Sequence, residues 1–178
     1  ICLCSFLKDP MKTLSDFDFK GKTVLIRVDF NVPMNQAQEV TDTNRITAAK
    51  PSIDAVLAAG GKAVLMSHFG RPNGQNTPSM SLSLITKTVS KVLGVPVAFS
   101  EDCVGSTAQA AVKALPLGGV LLLENLRFHA EEEAGSEDFA KQLASLGDIY
   151  VNDAFGTAHR PHASTTIIAQ FFKGNCCF

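Results

Sequence analysis

The sequence contains no tryptophan and a single tyrosine, and only 19% of its 178 residues are charged. So little charge excludes a disordered or coiled-coil chain, and the 46% that is hydrophobic can bury the core of one domain. The formal net charge of −1 gives no whole-molecule field to draw nucleic acid or an anionic membrane. Any anion site must therefore come from local clustering of Arg and Lys. Long hydrophobic runs are also lacking: residues 1–7 are apolar but too short to span a bilayer, and no basic stretch precedes them. A disulfide framework is excluded by spacing. Of five cysteines, Cys2, Cys4, Cys176 and Cys177 sit near the termini and only Cys103 lies in the body, which suits a reducing, cytoplasmic setting. The terminal pairs lack zinc-knuckle spacing, and no metal site is expected. Residues 1–10 are expected to be an extra, disordered N-terminal segment, 11–170 the domain, and 171–178 a tail outside it.

What the chain does have is alternation. Continuous apolar runs at 24–28, 63–66, 95–99, 120–123 and 149–151 read as strands covered on both faces, and Ile167-Ile168 could open a sixth. Helical patterns lie between them at about 45–59, 83–93, 104–115 and 137–146. Asp42 or Thr43 is placed to cap the first and Ser136 the last, and Gly60, Gly94 and Gly147 follow three of the helices. Pro51 falls inside the first helix and is expected to kink or break it. Strand and helix in alternation predict an α/β, three-layer Rossmann-like domain: a mainly parallel sheet of about six strands with helices on both faces. The stretches 69–78 and 128–135 show no pattern and read as loops.

Ligands of such sheets bind beyond the carboxyl ends of the strands. The residues there are Asp29-Phe30-Asn31-Val32-Pro33, Ser67-His68-Phe69-Gly70-Arg71-Pro72, Glu124-Asn125-Leu126-Arg127-Phe128-His129, and the run from Asn152 to His162. Four segments thus bring Arg45, Arg71, Arg127 and Arg160 to one edge. A single arginine after a strand is usually a surface ion-pair partner. Several converging repel one another unless a multiply charged anion lies between them, and the planar guanidinium suits phosphate or carboxylate. Pattern alone points to a small phosphorylated acid. No Gly-x-Gly-x-x-Gly follows the first strand, which argues against a dinucleotide domain.

The runs Arg27-Val28-Asp29-Phe30-Asn31-Val32-Pro33, Ser67-His68-Phe69-Gly70-Arg71-Pro72, Glu124-Asn125-Leu126-Arg127-Phe128 and Asn152-Asp153-Ala154-Phe155-Gly156-Thr157-Ala158-His159-Arg160 resemble successive signatures of phosphoglycerate kinases, in that family's order. The resemblance spans about residues 11–166 and corresponds to the amino-terminal, acid-substrate-binding domain, with the nucleotide domain expected to be absent. It implies a glycolytic phosphotransferase passing a phosphoryl group between 1,3-bisphosphoglycerate and ADP, cytoplasmic and usually monomeric, with no nucleic-acid or membrane partner. Asp29 and Asn31 would bind the hydroxyl and carboxyl end of 3-phosphoglycerate. His68, Arg71, Arg127 and Arg160 would form a basic patch around its phosphate, with Phe30, Phe69 and Gly70 lining the site. Arg45 would be the catalytic group, nearest the transferring phosphoryl. An arginine so placed is worth roughly 10³–10⁵ in rate. Mg-ADP or Mg-ATP would be held by the absent domain and no cofactor by this chain, which alone would bind the acid weakly and transfer little. The alternative is a non-catalytic or decayed fragment that only binds 3-phosphoglycerate. Phe69 stands where leucine is also common in the family and Pro161 where alanine is usual, beside Arg160.

The remaining residues have plainer readings. Arg27, inside an apolar run, is expected in a buried ion pair with Asp29 or Asp153. Glu131, Glu132 and Glu133 read as a solvated stretch and His129 as solvent-facing. His159 and His162 read as support for Arg160, and Phe30, Phe69, Phe128 and Phe155 as packing around the site. Gly21-Lys22-Thr23 precedes a strand instead of following one, so it is not a phosphate-binding loop.

Overall fold

The computed structural model describes residues 12–177. The expectation for residues 1–10 lies outside that range. Six strands form one parallel sheet: β1 Thr23–Arg27, β2 Lys62–Met66, β3 Val97–Ser100, β4 Val120–Leu123, β5 Ile149–Asn152 and β6 Cys176–Cys177, in the order β3-β4-β2-β1-β5-β6. All five strands read from the apolar runs form. Parallel neighbours need crossovers, and the helices supply them: α1 Asn44–Ala58, α2 Thr86–Leu93, α3 Gly105–Ala114, α4 Ala130–Ala134 and α5 Glu137–Ala144.

Strand side chains alternate between two cores, as a period of two demands. Val24, Ile26, Leu65, Leu122 and Val151 face α1 and α2, whose Ile46, Ile53, Val56, Val89 and Leu93 cover them. Leu25, Val64, Leu121 and Tyr150 face the other way, onto Ala108 of α3 and Phe139, Ala140 and Leu143 of α5. The chain therefore leaves β1 and β2 toward one face and β3 and β4 toward the other. After β5 the chain also joins the second core, through Ile168 and Phe172, so the side changes between the neighbours β1 and β5 and between β2 and β4, the points where such sheets bind ligands. Those are the strands whose ends carry the arginines.

Local structure departs from the sequence pattern in four places. The helix α1 runs through Pro51 as one element of 15 residues. Pro51 and Thr47 are both exposed, so the Thr47 carbonyl deprived of its partner meets water. Asp42, one residue before the N-cap Thr43, bonds the Asn44 N–H at 2.8 Å. The pair Ile167-Ile168 lies in a 3-10 turn, Ile167–Phe171, with Ile168 buried against the α5 face, and does not open a strand. The sixth strand comes instead from the segment expected to lie outside the domain: Asn175 C=O takes the Tyr150 N–H at 3.0 Å, and Cys176 and Cys177 continue the ladder beside β5. Finally, the stretch 128–135 contains α4, closed by Gly135 at φ 66°. Among the described residues no helix is long and apolar enough to cross a membrane.

This partition predicts where stability resides. Ile53→Ala, in the core between α1 and the sheet, should lose about 2–5 kcal/mol in urea unfolding. Leu117→Ala, on the exposed turn before β4, should change stability by no more than about 0.5 kcal/mol. Similar losses from both would contradict the assignment of the core.

Candidate functional site

Three of the four edge loops are laced together by neutral polar side chains. Asn125, fully buried, donates from Nδ2 to Phe69 C=O at 2.6 Å and to Met80 C=O at 2.9 Å. Its Oδ1 accepts the N–H groups of Phe69 and Arg127 at 3.2 and 3.0 Å. Asn31 Oδ1 accepts from Gly70 N–H at 2.9 Å, and Ser67 Oγ accepts from Phe30 N–H at 2.9 Å. The loop after β5 joins through Asp153 N–H, which donates to Arg27 C=O at 2.8 Å. Ser67 and Asn125 are thus site-building residues. They stand inside the motifs quoted from the sequence, yet no ligand role drew attention to them.

On this frame, Arg127 is the informative residue. It is 4% exposed. Its Nη1 donates to Gly70 C=O at 3.1 Å, while Nε is buried without a hydrogen-bond partner and lies 3.7 Å from Glu133 Oε1, an ion-pair distance too long for a hydrogen bond. A buried guanidinium this sparsely satisfied is costly unless something anionic completes it. Arg71 and Arg160 are exposed and take no part in the ion pairs formed among the described residues. The Arg160 carbonyl is held by the hydroxyls of Thr165 and Thr166 at 2.7 and 2.9 Å, which anchors the backbone beside Pro161. Arg45 differs. It pairs with Asp29 at 2.5 Å, joining two of the expected site residues. Phe30 and Phe69 are buried beneath the loops and pack, while Gly70, at φ 63°, supplies a carbonyl to Arg127 and an N–H to Asn31.

His68 is brought to the site but not as a charge. It is 5% exposed, and Nδ1 lies 3.0 Å from Arg27 Nη2. Arginine has no acceptor, so Nδ1 must be the unprotonated nitrogen. Burial, with Arg27 and Arg127 next, drives its pKa down to about 3. The expected basic patch therefore consists of guanidinium groups with a neutral imidazole among them. His162, half-buried, is also lowered, by burial first and then by Arg127, and His159 is exposed.

Several plain readings need correction. The acid facing Arg27 is neither Asp29 nor Asp153 but Glu132, which is 0% exposed and reaches Arg27 through Ser164. Helix α4 carries it inward while Glu131 and Glu133 stay exposed, the ordinary consequence of helical spacing. Phe155 is 95% exposed among the described residues and does not serve as packing. His129 is partly exposed, as a solvent-facing reading requires, but it is also engaged: Nε2 meets Asp102 Oδ1 at 2.8 Å and the ring lies against Phe139. Asp102, Cys103 and His129 bring ligand-type atoms within 4.8 Å of one another. The same Asp102 oxygen also accepts the Cys103 N–H at 2.7 Å, and the buried Cys103 thiol is pushed well up, first by desolvation, so it stays a thiol. A cavity of about 430 Å³ lined by Lys12, Asp16, Asp18 and Lys22 sits at the opposite, amino edge of the sheet, away from the arginines.

The class that the fold defines is a parallel α/β domain, here with sparsely paired arginines in the loops at the carboxyl edge of its sheet. Comparison with known proteins narrows it. The family model described as phosphoglycerate kinase matches residues 14–177. The phosphoglycerate kinase of Chlorobaculum tepidum is 56% identical over 162 residues, which are 91% of this chain and 41% of that protein. That of Azorhizobium caulinodans is 56% identical over 159 residues, 89% and 40% respectively. The structure of phosphoglycerate kinase from Coxiella burnetii matches with a TM-score of 0.83 at 34% identity, covering 94% of this chain and 41% of that one. The corresponding crystal structure from Pyrococcus horikoshii OT3 gives 0.77 at 36% identity, over 86% and 39%. The chain belongs to the phosphoglycerate kinase family. It spans about two-fifths of the length of the relatives it matches.

The depressed His68 has a thermodynamic signature. Its folded pKa of about 3 lies below the ordinary 6.5, so between those values the unfolded chain binds the extra proton and stability falls as pH falls. The slope is up to about 1.4 kcal/mol per pH unit. Glu132, raised by burial, opposes this above its ordinary 4.5, so the parent must be compared with His68→Gln. Urea unfolding at about pH 7.5 and about pH 5.5 should show a smaller acid loss in His68→Gln. Equal losses would remove His68 as the source.

Proposed function

We propose that this chain is the acid-binding half of a phosphoglycerate kinase, a cytoplasmic glycolytic phosphotransferase, with 3-phosphoglycerate or 1,3-bisphosphoglycerate seated at the carboxyl edge of β1, β2, β4 and β5. The observation that carries the reading is the buried Arg127, whose Nε has no hydrogen-bond partner among the described residues, on an edge whose other loops carry the exposed Arg71 and Arg160. A phosphate of the acid would complete these groups, with the Nε2–H of neutral His68 as a further donor. Asp29 and Asn31 would meet the hydroxyl and carboxyl end.

Phosphoryl transfer asks mainly for alignment and charge neutralisation, and a site of arginines with no activated nucleophile suits that need. Arg45 is half exposed, so it can leave Asp29 for the equatorial oxygens of the transferring group when Asp29 turns to the acid's hydroxyl. Mg-ADP or Mg-ATP supplies the other phosphoryl partner and, in this reading, is held outside these 178 residues. The residues described here bind, orient and neutralise.

Calorimetric titration of the chain with 3-phosphoglycerate and, separately, with ADP tests the proposal. The acid should bind and ADP should not; the reverse would overturn it. Arg127→Gln should weaken the acid by about 10–100-fold, the effect of losing charge-assisted hydrogen bonds. In a coupled assay the chain alone should turn over little, and full turnover would refute the assignment of the nucleotide to a site elsewhere.

A further inference from the structure

Glu132, Ser164 and Arg27 touch no proposed ligand, yet all three are buried and form one line of contacts that ends on His68. Ser164 N–H donates to Glu132 Oε2 at 3.0 Å and Ser164 Oγ–H donates to Glu132 Oε1. A hydroxyl has one hydrogen, so with it committed to Glu132 the Ser164 lone pair is left for Arg27 Nε, which donates to it at 3.0 Å. Arg27 Nη1 donates to Val28 C=O. With Nε and Nη1 both fixed, the plane of the guanidinium is fixed, and Nη2 points at His68 Nδ1, 3.0 Å away. A hydrogen on Nδ1 would face another donor. The charged groups around the ring agree: Arg27 from β1, Arg127 from the turn after β4 and Arg160 from the loop after β5 outweigh Asp29 alone, and an imidazolium there would be repelled.

We infer that Glu132 is a positioning residue which, through Ser164 and Arg27, locks His68 as the neutral Nε2–H tautomer and makes it a directional donor to the acid's phosphate. The part that concerns the phosphate rests on the function proposed above; the tautomer stands on this geometry alone. The arrangement separates two duties that one charged histidine would merge. Electrostatic attraction comes from the arginines, and orientation comes from a ring that cannot flip its hydrogen.

Long-range ¹H–¹⁵N spectra of the histidine rings in the intact chain test it, with His68→Gln to assign the His68 signals. The parent should show His68 as a single neutral Nε2–H form from about pH 5 to about pH 8. Ser164→Ala should allow both tautomers and weaken 3-phosphoglycerate about tenfold, and Ser164→Thr, which keeps the hydroxyl, should restore both properties. An Nδ1–H ring in the parent, or one titrating near the ordinary pKa of about 6.5, would overturn the inference with no variant needed. So would a folded Ser164→Ala chain with unchanged spectrum and affinity. Should Ser164→Ala fail to fold, Glu132→Gln takes its place under the same criteria. If the parent shows the predicted ring but does not bind 3-phosphoglycerate, the substrate reading fails while the tautomer lock survives.

Discussion

Two guanidinium groups taken out of water at the carboxyl edge of a parallel sheet set the terms for the rest of this domain. Arg27 and Arg127 are both buried, and arginine does not shed its proton to escape the desolvation penalty. Each must be met by acceptors, and the domain meets them unequally. Arg27 has a hydroxyl, a carbonyl, an imidazole nitrogen and, one step beyond, the carboxylate of Glu132. Arg127 has a carbonyl and a distant carboxylate. The first is closed as a piece of structure; the second is open as a piece of chemistry. That contrast, more than the number of arginines, separates scaffold from site.

Holding an open cation in place calls for rigid surroundings that do not neutralise it. The domain uses uncharged groups for this purpose. Asn125 spans the loops after β2 and β4 with four hydrogen bonds, and Asn31 and Ser67 bind the loop after β1 to that after β2. A carboxylate in these positions would add to the edge the negative charge that the proposed ligand supplies. The nearby acid Glu124 is itself consumed, accepting from Leu82 N–H, Asn125 N–H and Ser81 Oγ. Glu124 is thus occupied before it can compete.

Much of this was legible in the sequence. The strands were, because residues covered on both faces leave unbroken apolar runs. The arginines were, because the loops after β1, β2, β4 and β5 are themselves contiguous motifs. What the sequence hid were partnerships across distance. Glu132 meets Ser164 across 32 positions and Arg27 meets Ser164 across 137, and nothing in the string Glu131-Glu132-Glu133 marks the middle residue as the buried one until the phase of α4 is known. The protonation of His68 was hidden for the same reason. A histidine beside a basic motif reads as one more cation, whereas burial first, and then Arg27 and Arg127, keep it neutral. Strand β6 was missed because its two residues, Cys176 and Cys177, are too few to make a pattern and are held by pairing with β5 alone.

The Arg45–Asp29 pair follows a different logic from the buried ones. With Arg45 half exposed, water screens the contact, and an ion pair of this sort contributes little to stability. Its weakness suits the catalytic role proposed for Arg45. A guanidinium locked as Arg27 is locked could not follow a phosphoryl group, and one left unpaired would be repelled by the other arginines. A partly exposed carboxylate partner holds Arg45 near the edge of the sheet at small free-energy cost and, in the proposed function, gives way to a more highly charged anion. The gradient from the closed Arg27 through the open Arg127 to the exchangeable Arg45 follows burial, from two guanidinium groups taken out of water to one that is half exposed.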